Sequence, residues 1–271
     1  MVAMTKRNIK VFLRNKVEVF FSMLGVLLVI GLFALFLGNH WGDGGVLHPW
    51  LMAGVLALAA FTVPLSMFDR MVADKGDKTI KGFYVSPIKR SHITASYMVS
   101  ALLVSMVMAG LTAVGYMIFF AMTGVAVVPI GSFVLALLVM ALTCVSGTAM
   151  TCFIASLMKK NSTYTTVVII LNNLAGFVMG IYIPMGQLPQ GVQTGVLLFP
   201  PTHGAMLLRR VLLGHATTYY GLDLATQEHI GMAFRVGEMS LPTMASVGVL
   251  VVSAVVFFAL AVWRVGRFAK S

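Results

Sequence analysis

Charge is thin in this chain, and negative charge thinner still. Aspartate and glutamate total 8 against 19 lysines and arginines in 271 residues, and charged side chains make up 10% of the whole. A soluble domain carries roughly a quarter. With 59% hydrophobic residues, a chain of this size has too much apolar surface for a water-soluble core to hide. The long apolar runs hold no Asp, Glu, Lys or Arg at mid-depth. Carriers driven by protons or sodium keep such groups inside the membrane, so this absence argues against that class. No Gly-Lys dipeptide occurs, which excludes a GxxxxGK[ST] loop and any cradle for ATP phosphates in the chain itself. HExxH is missing, and His40, His48, His92, His203, His215 and His229 are scattered over loops and run ends. No metal site is expected from that spacing. The only cysteines, Cys144 and Cys152, share one apolar run and form neither a CxxC pair nor a disulfide framework. The 20 methionines read as adaptable apolar packing.

What is present is order in the positive charge. Sixteen of the basic residues fall in four segments: 1–18, 69–90, 158–162 and 264–271. Only Arg209, Arg210 and Arg235 lie elsewhere. Six apolar runs separate these stretches, and threading the chain through a bilayer six times places all four basic segments on one side. By the positive-inside rule that side is the cytoplasm. The expected protein is therefore an all-α, multi-pass protein of the cell membrane, a bacterial inner or plasma membrane, with both termini cytoplasmic. The net charge of +11 hugs the ends of spans and forms no stripe with aromatic platforms, so no nucleic-acid partner is expected. The basic start leads into a full-length run without a small-residue cleavage pattern and is read as retained.

Residues 1–18 are expected to form an amphipathic interfacial helix. Ile9, Phe12, Leu13, Val17 and Phe20 share one helical face, and Arg7, Lys10, Arg14 and Glu18 the other. The six-span domain, 19–268, follows. Spans are expected near 19–37, 50–68, 95–121, 132–157, 165–183 and 243–263, the second containing Pro64. The inner segment 69–92 contains a short helix, Lys78–Val85, that Asp77 can cap and Ser86-Pro87 stops. Phe83 and Tyr84 at its end suit docking to a soluble partner, with a plain interfacial connector as the other reading. The outer segment 184–240 is partly apolar. Pro200-Pro201-Thr202-His203 divides it, with Thr202 as an N-cap and Gly214 as a C-cap. Helices of ~10–12 residues reach ~15–18 Å against a core of ~30 Å, so a re-entrant pair is expected. On the fifth span, Asn172 and Asn173 either line a polar path or bond between helices, and Gly176 and Gly180 have the spacing of close helix approach.

Taken in order, these features resemble the membrane subunit of a type-2 ABC exporter. The resemblance runs over essentially the whole chain. It is carried by the amphipathic start, the six spans, Phe68-Asp69-Arg70 followed by Tyr84-Val85-Ser86-Pro87-Ile88-Lys89-Arg90, and the outer Ile183-Pro184, Leu188-Pro189, Pro200-Pro201-Thr202-His203 and Leu208-Arg209. It implies a dimer of permeases, identical or related, working with two ABC ATPase subunits that bind the ATP; the permease itself holds no cofactor. The coupling helix would comprise Lys78, Thr79, Ile80, Lys81, Phe83, Tyr84, Ser86 and Pro87, seated in a cleft of the ATPase. The interfacial helix, with Arg7, Lys10, Phe12 and Arg14, would add a second contact. Asn172, Asn173, Gly176 and Gly180 would face the pathway or dimer interface, and Pro201, Thr202, His203 and Arg209 would belong to an outer lid. Where the family often has Gly-Thr and an acid before the coupling helix, this chain reads Gly76-Asp77-Lys78-Thr79. A secondary carrier or channel is the alternative reading. A membrane-embedded enzyme would need clustered acids or histidines near one interface.

Overall fold

The computed structural model describes residues 2–17, 19–20, 31, 46–76, 90–123, 128–236 and 239–268. Nearly all of the expected first span, and every residue from 77 to 89, lie outside the described residues.

The described chain is helical apart from one pair of two-residue strands. Helix α1 (Val2–Arg14) precedes α2 (Leu47–Gly76), α3 (Arg90–Thr123), α4 (Ile130–Leu157) and α5 (Asn161–Val178). Residues 184–240, expected as the outer segment, hold a 3-10 turn (Met185–Gln187), α6 (Gln190–Val196), α7 (Pro200–Tyr220), α8 (Leu224–His229) and the antiparallel pair β1 (Arg235–Val236) and β2 (Met239–Ser240). Helix α9 (Thr243–Phe268) closes the domain.

Among the described residues, four helices are long and apolar enough to cross a membrane: Leu47–Gly76, His92–Phe119, Ile130–Leu157 and Thr243–Arg264. They match the expected second, third, fourth and sixth spans. Helix α5, expected as the fifth, has 18 residues and is not one of the four. It stops short of the expected residue 183 because Gly180 adopts φ +66°. Gly180 N–H then bonds Phe177 O at 3.0 Å and Ile181 N–H bonds Gly176 O at 2.8 Å, a Schellman stop.

Helix α2 is the axis of the fold. Of its most apolar stretch 89% is buried, against 22% for α9, so α2 is packed on all sides and α9 sits at the periphery. It touches α3, α4, α5 and α7. Its composition allows this, because Ala53, Gly54, Ala57, Ala59 and Ala60 are small and buried and let neighbouring backbones come close. The tightest approach is by Gly147 of α4, where a Cβ would lie 2.7 Å from Ala60 O. Ala60 is the residue whose carbonyl would have bonded the missing N–H of Pro64, so a glycine meets a carbonyl that the proline has freed. Helix α2 also runs past the expected end of its span near residue 68 and stays helical to Gly76, an extension about 12 Å long that carries Asp69, Arg70, Asp74 and Lys75.

The outer segment corrects an expectation. Helix α7 is a single helix of 21 residues, not a half-length one from Thr202 to Gly214. Gly214 passes through it, and Gly221 at φ +62° ends it. Thr202 is not the cap: Phe199 is, and Pro200-Pro201 occupy the first turn, where a missing N–H costs nothing. Packing against α2, α4 and α9 outweighs the ~1 kcal/mol that an interior glycine costs.

Candidate functional site

Three places concentrate polar chemistry: the end of the bundle that carries α1, expected as the inner end, the open face of α5, and residues 184–240, expected as the outer segment.

At the inner end α1 lies on α3. Its buried residues are Met4, Thr5, Asn8 and Phe12, spaced to share one stripe. That stripe is rotated from the expected apolar face. Phe12 is buried, but Leu13, Val17 and Phe20 are each more than half exposed. Lys10 and Arg14 are exposed as expected. Arg7 instead turns inward: its Nη2 donates to both Asp74 oxygens, at 3.0 and 2.8 Å. Tyr97 Oη donates to Asp74 Oδ2 at 2.5 Å, and Arg70 Nε lies 3.5 Å from Oδ1. The carboxylate is 3% exposed. Burial lowers the Arg7 pKa most, but the bonds and charges of Asp74 and Tyr97 outweigh it and the net shift is upward. Nearby, Asn8 Nδ2 donates to Ser100 Oγ at 3.4 Å and Lys75 Nζ to Ala155 O at 3.1 Å. The arrangement ties α1, the end of α2 and α3 together immediately before residue 77.

Helix α5 packs on α2, anchored by Tyr164, whose hydroxyl donates to Leu65 O at 2.7 Å. Its other side, with Thr166, Ile169, Ile170, Asn173, Leu174 and Phe177, is exposed. Asn173 Nδ2 donates back to Ile169 O at 2.8 Å, and Asn172 is half-buried. The two glycines have local roles within the chain. Gly176 faces the Tyr182 ring, at 2.1 Å from a would-be Cβ, and Gly180 stops the helix.

In the outer segment Pro201, Thr202, His203 and Arg209 all lie on α7 and all are buried. Thr202 Oγ1 donates to Val178 O at 3.3 Å. His203 Nε2 donates to Leu197 O at 2.9 Å and Nδ1 accepts from Ser246 Oγ at 3.0 Å; the carbonyl can only accept, which fixes the tautomer. Desolvation lowers the His203 pKa, with the Leu197 bond opposing. Arg209 is wholly buried. Its Nη2 donates to Met179 O and Gly180 O, both at 2.8 Å, and its guanidinium lies 5.1 Å from the Trp50 ring centroid. Trp50 Nε1 in turn donates to Ile230 O at 2.7 Å. One cation thereby joins α2, the turn after α5 and the loop after α8.

Helix α7 also has a depth profile. At its start Phe199 stacks edge-on against Phe61 and Gly204 presses on Thr143, with Phe61 and Thr143 each about 20 Å along its helix from the N-terminal end of α2 or α4. Farther along, Arg209 meets Trp50 and Gly54, only ~5–10 Å from that end of α2.

The expected coupling residues Lys78, Thr79, Ile80, Lys81, Phe83, Tyr84, Ser86 and Pro87 lie outside the described residues. The helices on either side, α2 and α3, deliver the chain to that segment from the inner node.

The model of the ABC-2 family transporter protein matches residues 49–263, most of the chain. The chain belongs to the ABC-2 transporter family. No curated protein matches it. As an ABC-2 permease it is a multi-pass membrane transport subunit of a kind that works with an ATPase. The match takes in α2 to α8 and most of α9, so the Arg209 and α5 sites fall inside it; α1 precedes it, and Arg7 reaches into it through Asp74. Asp74, Tyr97 and Trp50 were not singled out in the sequence. Asp74 had one signal, as a lone acid between Arg70 and Lys75. Tyr97 and Trp50 had none, since aromatic residues in apolar runs are ordinary.

Proposed function

We propose that this permease is half of the membrane portion of an ATP-driven exporter, moving a drug, antimicrobial peptide, lipid-linked or other amphiphilic cargo outward. The family match over 49–263 carries the reading. The absence of charge at mid-depth favours an amphiphilic cargo over a small ion. ATP would bind a separate nucleotide-binding subunit, because this chain has no phosphate loop. The coupling helix at 78–87 would dock on that subunit.

The proposed topology has six spans, with α5 and residues 19–37 completing the set and both termini cytoplasmic. The outer segment 184–240 dips into the membrane and returns. The depth profile of α7 supports this, since it starts deep beside Phe61 and Thr143 and rises to Trp50. A second permease would cover α5. The exposed Thr166 and Asn173 support that, because polar groups are poor partners for lipid and good ones for a neighbouring helix or an aqueous path.

The test replaces Phe83 and Tyr84 with glutamate. Expected is a permease that inserts and folds, while transport by the complex with its ATPase is lost and ATP hydrolysis no longer responds to cargo. Unchanged transport would sink the coupling assignment. The isolated chain should hydrolyse no ATP, and vanadate should stop transport by the complex. Solute accumulation by the chain alone on a proton or sodium gradient would instead establish a secondary carrier.

A further inference from the structure

At the inner end, α1 and α3 enclose an open groove of about 620 Å³. It is lined by the apolar Val2, Ile9, Leu13 and Val99, by Thr5, and by the basic Lys6, Lys10 and Arg14. These three stand four residues apart on α1 and therefore in one row, ~6 Å between neighbours. Among the described residues, no acidic side chain lines the groove and none of the three makes an ion pair. Arg7, by contrast, is taken up by Asp74.

Val99 also lines a second cleft, of about 380 Å³, between α3, α4 and α9. Its walls include Met98, Leu102, Ala149, Val255 and Phe258, and it holds no charged residue. Val99 lies about 14 Å along α3 from Arg90, at the depth of the inner leaflet. A row of three cations therefore borders an apolar groove, and Val99 of that groove also walls an apolar cleft next to it. That sequence of surfaces complements one class of molecule: an anion joined to hydrocarbon chains.

We propose that this is a binding site for an anionic phospholipid of the inner leaflet, with its phosphate on Lys6, Lys10 and Arg14 and its acyl chains along Val99 into the cleft. The positive row selects against zwitterionic headgroups. The trough distinguishes the site from general attraction of a basic helix to an anionic surface. The inference rests on α1 lying along the inner face, and needs neither the ATPase nor transport, so it can fail while the exporter reading stands.

The experiment uses the full-length permease, purified in detergent and exposed to mixed micelles of phosphatidylglycerol and phosphatidylcholine. Retained lipid is counted by native mass spectrometry. The wild type is expected to retain one phosphatidylglycerol in strong preference to phosphatidylcholine. Replacing Lys6, Lys10 and Arg14 with glutamine should weaken phosphatidylglycerol binding about a hundredfold and abolish the preference. Val99→Trp fills the junction without changing charge and should lose the retained lipid while the basic row remains. Cysteine labelling at Met4→Cys checks that α1 stays docked in both variants; if it comes loose in the tryptophan variant, Leu102→Trp, placed beyond α1, takes its place. Retention unchanged by the tryptophan, or displacement of the lipid by inorganic phosphate alone, would overturn the proposal, as would an equal preference for the two lipids in the wild type.

Discussion

Breaking the Arg7–Asp74 pair should release α1 from the bundle, and the structure sets the size of the effect. Arg7→Met removes two charge-assisted hydrogen bonds, at 3.0 and 2.8 Å, each worth about 1.5–3 kcal/mol. It leaves Asp74, 3% exposed, with the Tyr97 hydroxyl and the more distant Arg70. Breaking a fully buried pair costs about 3–5 kcal/mol. Here Arg7 is 28% exposed and Asp74 keeps two partners, so about 2–3 kcal/mol is expected after allowing for solvent screening. At about 1.4 kcal/mol per tenfold, undocking of α1 should become about 30- to 150-fold more frequent. Met4 is buried under α1 at 6% exposure, and a cysteine there reports the undocked state to a thiol reagent applied from the inner side. When opening is fast relative to labelling, the labelling rate follows the open population. Asp74→Asn should have a smaller effect, because the stranded Arg7 can turn toward water. The double variant should cost less than the sum of the two. Labelling of Arg7→Met within threefold of the parent, or strict additivity in the cycle, would refute the account.

The remaining predictions concern glycine positions and one histidine. Gly147→Ala puts a Cβ 2.7 Å from a backbone carbonyl and should cost about 1–3 kcal/mol, while Gly110→Ala, with nothing within 4 Å, should be neutral or stabilising in thermal unfolding. Gly221 and Gly231 have similar positive φ, +62° and +75°, but only at Gly231 would an added Cβ meet Arg209, 2.8 Å from Nη1. Alanine at Gly221 should cost roughly 1 kcal/mol and alanine at Gly231 clearly more; equal losses would show that the contact does not matter. His203 is held below its ordinary pKa of 6.5, so the unfolded chain binds the extra proton. Its contribution to stability is complete above pH 6.5 and is lost as pH falls below it. The wild-type melting temperature should therefore drop on acidification, and His203→Gln should flatten that dependence.

The long apolar runs and the basic clusters made α2, α3, α4 and α9 legible, because length and charge asymmetry are local properties that the bilayer selects directly. The face that α1 buries was not legible. Amphipathicity pointed to a helix here, but the partner that draws Arg7 inward is 67 residues away, and no local pattern carries that distance. The length of α7 was misread for a related reason. Glycine is a weak stop, and packing on three neighbours carries the helix through Gly214 to Gly221. Arg209 stood out as part of a motif, yet its acceptors are two backbone carbonyls, which every sequence has and none displays. Gly180 was singled out for its small size; its role came from its positive φ, the other property that glycine alone supplies cheaply.

Helix α2 is about 45 Å long and is fastened at both ends, at its N-terminal end by Trp50 and Gly54 against Arg209 and at its C-terminal end by Asp74 against Arg7. A rod held at two points acts as a lever. If its inner tip at Gly76 is displaced, the shaft must either swing the outer fastening in the opposite sense or flex at Pro64, the one position where its hydrogen-bond ladder is interrupted. The pivot then falls where Gly147 presses against Ala60. Mechanical stiffness at that contact, rather than the strength of either end, would determine how much of a push from inside arrives at the outer surface.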